Sequence, residues 1–100
     1  MYILNITFLV AEPLISTWQE WVRRQLIPSM TNTGVFSQPQ LARVLSAEQS
    51  DGVSYALQFQ TASVDTIDEW LTDNGNSLQQ QCTVRFGTNV LFFATTLEVL

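Results

Sequence analysis

The sequence predicts an α+β domain of split β-α-β type, a four-stranded antiparallel sheet with helices on one face. Three observations predict it. Residues 2–10, 53–60 and 90–99 alternate with a period of two, as strands do. Residues 12–34 and 63–86 carry their apolar side chains at helical spacing instead. The 100 residues leave no room for a second core, so these segments share one domain spanning 1–100.

In the first strand Tyr2, Leu4, Ile6, Phe8 and Val10 form an apolar face, and Ile3, Asn5, Thr7 and Leu9 a mixed one. Glu12-Pro13 opens a helix, because proline is tolerated in a first turn and a carboxylate there suits the macrodipole. Leu14, Trp18, Trp21, Val22 and Leu26 make its inner stripe; Pro28 must bend or restart it, and Gly34 stops it. Val35 to Ser46 reads as a second strand, and its break at Pro39 argues for an edge position. Ala47 to Gly52 reads as a turn-rich connection to the third strand, in which Val53, Tyr55, Leu57 and Phe59 alternate with polar or small residues. Ser63 is an N-cap for a helix striped by Val64, Ile67, Trp70 and Leu71, which Asn74-Gly75 is expected to end. A short helix from Ser77 to Phe86 is expected next, closed by Gly87, and Val90 to Val99 is the last strand. The order β-α-β-β-α-(α)-β is that of ferredoxin-like domains, with both crossovers long enough to be right-handed.

Only 13% of residues are charged, against about 25% in typical domains. Net charge is −5, with four arginines and no lysine. Arg23, Arg24, Arg43 and Arg85 are spread over three elements, which excludes phosphate-backbone binding and so a nucleic-acid partner. Cys82 is alone, so no intrachain disulfide forms and a reducing compartment is expected. No apolar run approaches the ~18 residues that span a bilayer, and the apolar start has no basic region before it. Asn5-Ile6-Thr7 matches a glycosylation sequon but falls inside a strand. The expectation is a cytoplasmic protein with no membrane association.

The helix-facing side of the sheet is expected to hold the even residues of the first strand and the odd residues of the third and fourth. The other side then carries Ile3, Leu9, Ala56, Val90, Phe92 and Ala94, too apolar for a face open to water. A symmetric copy covers such a face most simply, so a homodimer through the helix-free sheet face is expected.

Elimination decides most of the chemistry. The chain has no histidine, no lysine and one cysteine, so it holds no Ser-His-Asp or Cys-His arrangement, Schiff-base lysine, zinc set or haem-ligating histidine. Its glycines form no phosphate-cradling or dinucleotide motif. No catalytic residue, metal or cofactor is therefore expected. Asp65, Asp68 and Glu69 read as carboxylates favoured by a helix start. Trp18, Trp21 and Cys82 read as core. The ligand-binding candidates are Asn5, Thr7, Arg43, Gln58 and Glu98. Arg43 and Glu98, on opposite edge strands, are expected to pair between subunits beside a small polar pocket of Asn5, Thr7 and Gln58.

The sequence resembles a family of small bacterial proteins grouped only as a domain of unknown function. The residues that carry the resemblance run from Met1-Tyr2-Ile3, Asn5, Thr7 and Phe8 through Trp18, Trp21, Ile27-Pro28, Thr33-Gly34 and Phe36. They continue with Leu41, Arg43-Val44-Leu45, Gly52, Tyr55-Ala56, Arg85-Phe86-Gly87 and the tail Thr95 to Val99. The resemblance implies a dimeric α+β-barrel-like architecture and brings no established activity. Similar sequences often carry a basic residue near position 94, where this chain has Ala94. The sequence thus points to a dimer with a binding or structural role, holding a small polar or amphipathic molecule between its sheets. The alternative is a cofactor-independent enzyme acting on a small organic substrate, since barrels of this shape resemble the antibiotic-biosynthesis monooxygenase group. Its only titratable candidates are Glu98, Tyr2, Tyr55 and Arg43.

Overall fold

The computed structural model describes residues 1–45 and 52–100. Its four strands are β1 (Tyr2–Val10), β2 (Ser37–Arg43), β3 (Val53–Thr61) and β4 (Val90–Glu98), in the order β2-β3-β1-β4. All three pairings are antiparallel, as the ferredoxin-like order requires. The expected connection from Ala47 to Asp51 lies outside the described residues. Gly52 is described: a Cβ there would overlap the Val10 carbonyl, and its φ of 144° suits glycine.

The alternation read from β1 sets the core. Leu4, Ile6, Phe8 and Val10 are fully buried beneath the helices, with Tyr55, Leu57 and Phe59 of β3 beside them. A 3-10 turn at Glu12–Leu14 leads into α1 (Ile15–Trp21). Five residues, Val22–Leu26, are then π-helical before the helix resumes as α2 (Ile27–Thr31). Pro28 supplies the reason: it has no N–H, and its ring would clash with the carbonyl four residues back in a regular helix. The wider π turn, where the Ile27 N–H reaches the Val22 carbonyl, lets the chain pass this point without breaking. Trp18 packs between Phe8 and Tyr55, with ring centroids 5.1 and 4.9 Å away. Gly34, at φ 81°, ends the segment as expected.

The second helical segment differs from the expectation. A single helix, α3 (Val64–Phe86), runs through Asn74-Gly75 without a break. Its inner stripe explains why: Ile67, Leu78, Cys82 and Phe86 are buried, and Leu71 and Gly75 fill the intervening turns in the same phase. Burying one continuous stripe outweighs the ~1 kcal/mol that glycine costs inside a helix. The Ser63 cap is present, its hydroxyl accepting from the Asp65 N–H at 3.2 Å.

Strand β2 is shorter than expected and lies at an edge, with a register shift between Ser37 and Gln40 around Pro39. The largest correction concerns β4. Its even residues, not its odd ones, share a face with the buried residues of β1: Val10 pairs with Val90, Phe8 with Phe92 and Ile6 with Ala94. Directly opposed residues in an antiparallel pair point to the same side, so Leu91, Phe93, Thr95 and Leu97 lie on the helix-free face.

Candidate functional site

The helix-free face of the sheet brings together Ile3, Asn5, Thr7 and Leu9 of β1, Ser54, Ala56, Gln58 and Gln60 of β3, and the odd residues of β4. The corrected register makes this face more apolar than the sequence reading did. Leu91, Phe93 and Leu97 replace Val90, Phe92 and Ala94 on it, and they are 54%, 62% and 38% exposed. Gln40 and Ala42 extend it along β2, in register with Gln58 and Ala56. No described residue of this face is charged, although the chain carries −5 overall.

Three of the five candidate residues meet at its centre. Asn5 and Gln58 are direct partners across β1 and β3, and the Gln58 amide donates to the Asn5 side-chain oxygen at 3.2 Å. The Asn5 amide in turn donates to the Thr7 hydroxyl at 3.0 Å. The three side chains are half-buried and form one polar ladder that fixes the amide orientations. Beside it lies a shallow hollow of about 320 Å3, walled by Thr7, Leu9, Ser54, Leu91, Phe92 and Phe93. The combination is an apolar floor with a few oriented hydrogen-bonding groups and no charge, suited to a neutral amphipathic surface.

The other two candidates lie elsewhere. Arg43 is in register with Tyr55, and Glu98 with Tyr2, which puts both on the helix-facing side. They stand on opposite edge strands. They also stand at opposite ends of the sheet, because Tyr55 pairs with Phe8 whereas Glu98 pairs with Tyr2. Six residues of strand separate those levels, about 20 Å at ~3.3 Å per residue. Neither Arg43 nor Glu98 therefore shares a face with Asn5, Thr7 and Gln58; the fourth strand's inverted face takes Glu98 away from them. Sequence reasoning missed Leu91 and Phe93, whose period-two spacing was visible but was assigned to the core.

The space between sheet and helices is packed. Trp18, Phe8 and Tyr55 fill it at one end, and Trp21 stands edge-on to Phe86 at 5.6 Å nearby. Cys82 is fully buried there, and burial pushes its thiol up to about 11. Among the described residues, no helix is long and apolar enough to cross a membrane.

Sheet order, helix layer and register define an α+β domain of the ferredoxin-like class. The chain belongs to the family described as domain of unknown function DUF4286, whose model matches residues 1–100. No curated protein matches it. Among solved structures it is similar to a putative antibiotic biosynthesis monooxygenase from Deinococcus radiodurans, at TM-score 0.68 and 13% identity over 100% of this chain and 93% of that one. It is similar to a MhuD variant with two manganese protoporphyrin IX molecules bound per active site, at 0.61 and 16% over 98% and 94%. A third is a dimeric ferredoxin-like protein from an uncultured marine organism, at 0.58 and 10% over 99% and 95%. At these identities the likeness is one of fold.

Proposed function

We propose that the protein is a symmetric homodimer joined through the helix-free sheet faces, with a binding rather than a catalytic role. The observation that carries this reading is the uncharged face on which Leu91 and Phe93 stand more than half exposed around a satisfied polar ladder. A sheet face of this composition is stable in water only when covered. Its lack of charge means that a second copy meets it without repulsion. Two hollows of about 320 Å3, brought face to face, make a compartment for a small neutral molecule with an apolar body and a hydrogen-bonding edge. Asn5, Thr7 and Gln58 would read that edge. The similarity to a protein described as dimeric supports the assembly.

The fold is shared with a putative antibiotic biosynthesis monooxygenase, which keeps an enzymatic reading in view. The binding reading is favoured because the ladder offers neutral amides and a hydroxyl, none of which titrates near neutral pH, where a general acid or base works. Native mass spectrometry of protein purified from its own host tests this directly. The expected result is a dimer carrying a neutral organic mass that Gln58→Leu releases. A ligand retained equally by Gln58→Leu, or a ligand carried by a monomer, contradicts the reading.

A further inference from the structure

The helix layer, on the side of the sheet away from the proposed interface, gathers two of the four arginines that are distant in sequence. Arg24, in the π-helical turns, and Arg85, in the last turn of α3, line the same hollow of about 340 Å3 with Thr17, Glu20, Trp21 and Gln25. Arg85 is held on two sides: its Nη2 donates to Gln25 Oε1 at 3.0 Å, and its guanidinium carbon lies 5.9 Å from the Trp21 ring centroid. Two contacts and the negative end of α3 fix the group while leaving further N–H donors free of these partners. The Arg24 side chain is 77% exposed and paired at 3.5 Å with that of Glu20, itself 62% exposed, a contact that contributes little and exchanges readily. Two cations and one carboxylate leave the hollow at +1 within a chain of −5. Trp21, only 5% exposed, lines the hollow with its ring; its indole N–H, like that of Trp18 in the core, is buried and has no hydrogen-bond partner among the described residues.

We propose that this hollow is an oxyanion site, in which Arg24 and Arg85 clamp a carboxylate or phosphate group against Trp21. The fork geometry of two guanidinium groups matches either anion, and both are bound by the same charge-assisted hydrogen bonds. The site is independent of the sheet-face dimer.

Nitrogen-15 labelled protein, titrated separately with sodium phosphate and sodium acetate at ionic strength held constant with chloride, tests it. Three indole N–H signals are expected from the three tryptophans, that of Trp21 being identified with Trp21→Phe. The Trp21 signal is expected to move saturably while those of Trp18 and Trp70 stay in place. A response to phosphate alone assigns a phosphate ligand, and a response to acetate as well assigns a carboxylate. Arg24→Gln and Arg85→Gln should each weaken the response at least about fivefold, and Glu20→Gln should strengthen it. Unmoved Trp18 and Trp70 signals show that each variant is folded. A Trp21 signal indifferent to both anions, or an affinity unchanged in both glutamine variants, overturns the proposal.

Discussion

The Gln58 side-chain amide donates to Asn5 Oδ1 at 3.2 Å between residues that face each other directly across β3 and β1. That bond sits on the helix-free face, where both side chains are half-buried, so its partners depend on one another. Removing either partner leaves a half-buried amide less well satisfied, at about 1 kcal/mol. A double-mutant cycle of Asn5→Ala and Gln58→Ala should show coupling of about 0.5–1 kcal/mol in urea unfolding. Strict additivity of the two losses would mean that the ladder is not formed in solution.

Gly75 distinguishes a continuous α3 from two helices. A Cβ at Gly75 meets nothing within 4 Å, and the residue lies inside a regular helix. Gly75→Ala should therefore stabilise the protein by about 0.5–1 kcal/mol, read as a higher unfolding midpoint. Were the chain to turn at Asn74-Gly75 with a left-handed glycine, the same substitution would lower the midpoint.

Gly52 makes the opposite prediction. Its φ of 144° and the overlap of an added Cβ with the Val10 carbonyl leave no room for a side chain at the start of β3. Gly52→Ala should destabilise by roughly 2 kcal/mol or more, since backbone must shift to admit it. A midpoint within error of the parent would show that this approach of β3 to the end of β1 is wrong.

Cys82 links burial to pH. Its thiol is raised from 9.0 to about 11 by desolvation, so the folded state holds the proton where the unfolded state begins to lose it. The contribution to stability is complete below pH 9 and is lost as pH rises through about 11. Cys82→Ala should flatten that part of the stability profile. In the folded parent the thiol should resist alkylation at pH 8 and react only on unfolding. Rapid labelling of the native protein would contradict this burial.

These features differ in how far the sequence discloses them. Alternation in β1 and β3, the Ser63 cap and the Pro39 edge are local signals, and local signals were sufficient for the strand order. The fourth strand was read on the wrong face because its odd residues, Leu91, Phe93 and Leu97, are more apolar than Ala94, Thr96 and Glu98. Hydropathy alone puts the greasier set inside; only the pairing of Phe8 with Phe92 decides otherwise. Asn74-Gly75 has the composition of a stop, yet the phase of the stripe from Ile67 to Phe86 carries through it. Asn5, Thr7 and Gln58 were legible as polar interruptions of an apolar face. The meeting of Arg24 with Arg85 was not, because it depends on how α3 packs beside the first helical segment.

The central claim is that the helix-free face pairs with a copy of itself, and light scattering behind a sizing column measures that most directly. The account predicts a mass twice the 11.3 kDa of the chain, falling to one chain in Phe93→Asp, whose circular dichroism stays that of the parent. Phe93 is 62% exposed in one chain, so the aspartate harms only an assembly that covers it. A parent mass of one chain at every concentration would contradict the account, as would a dimer that Phe93→Asp leaves intact.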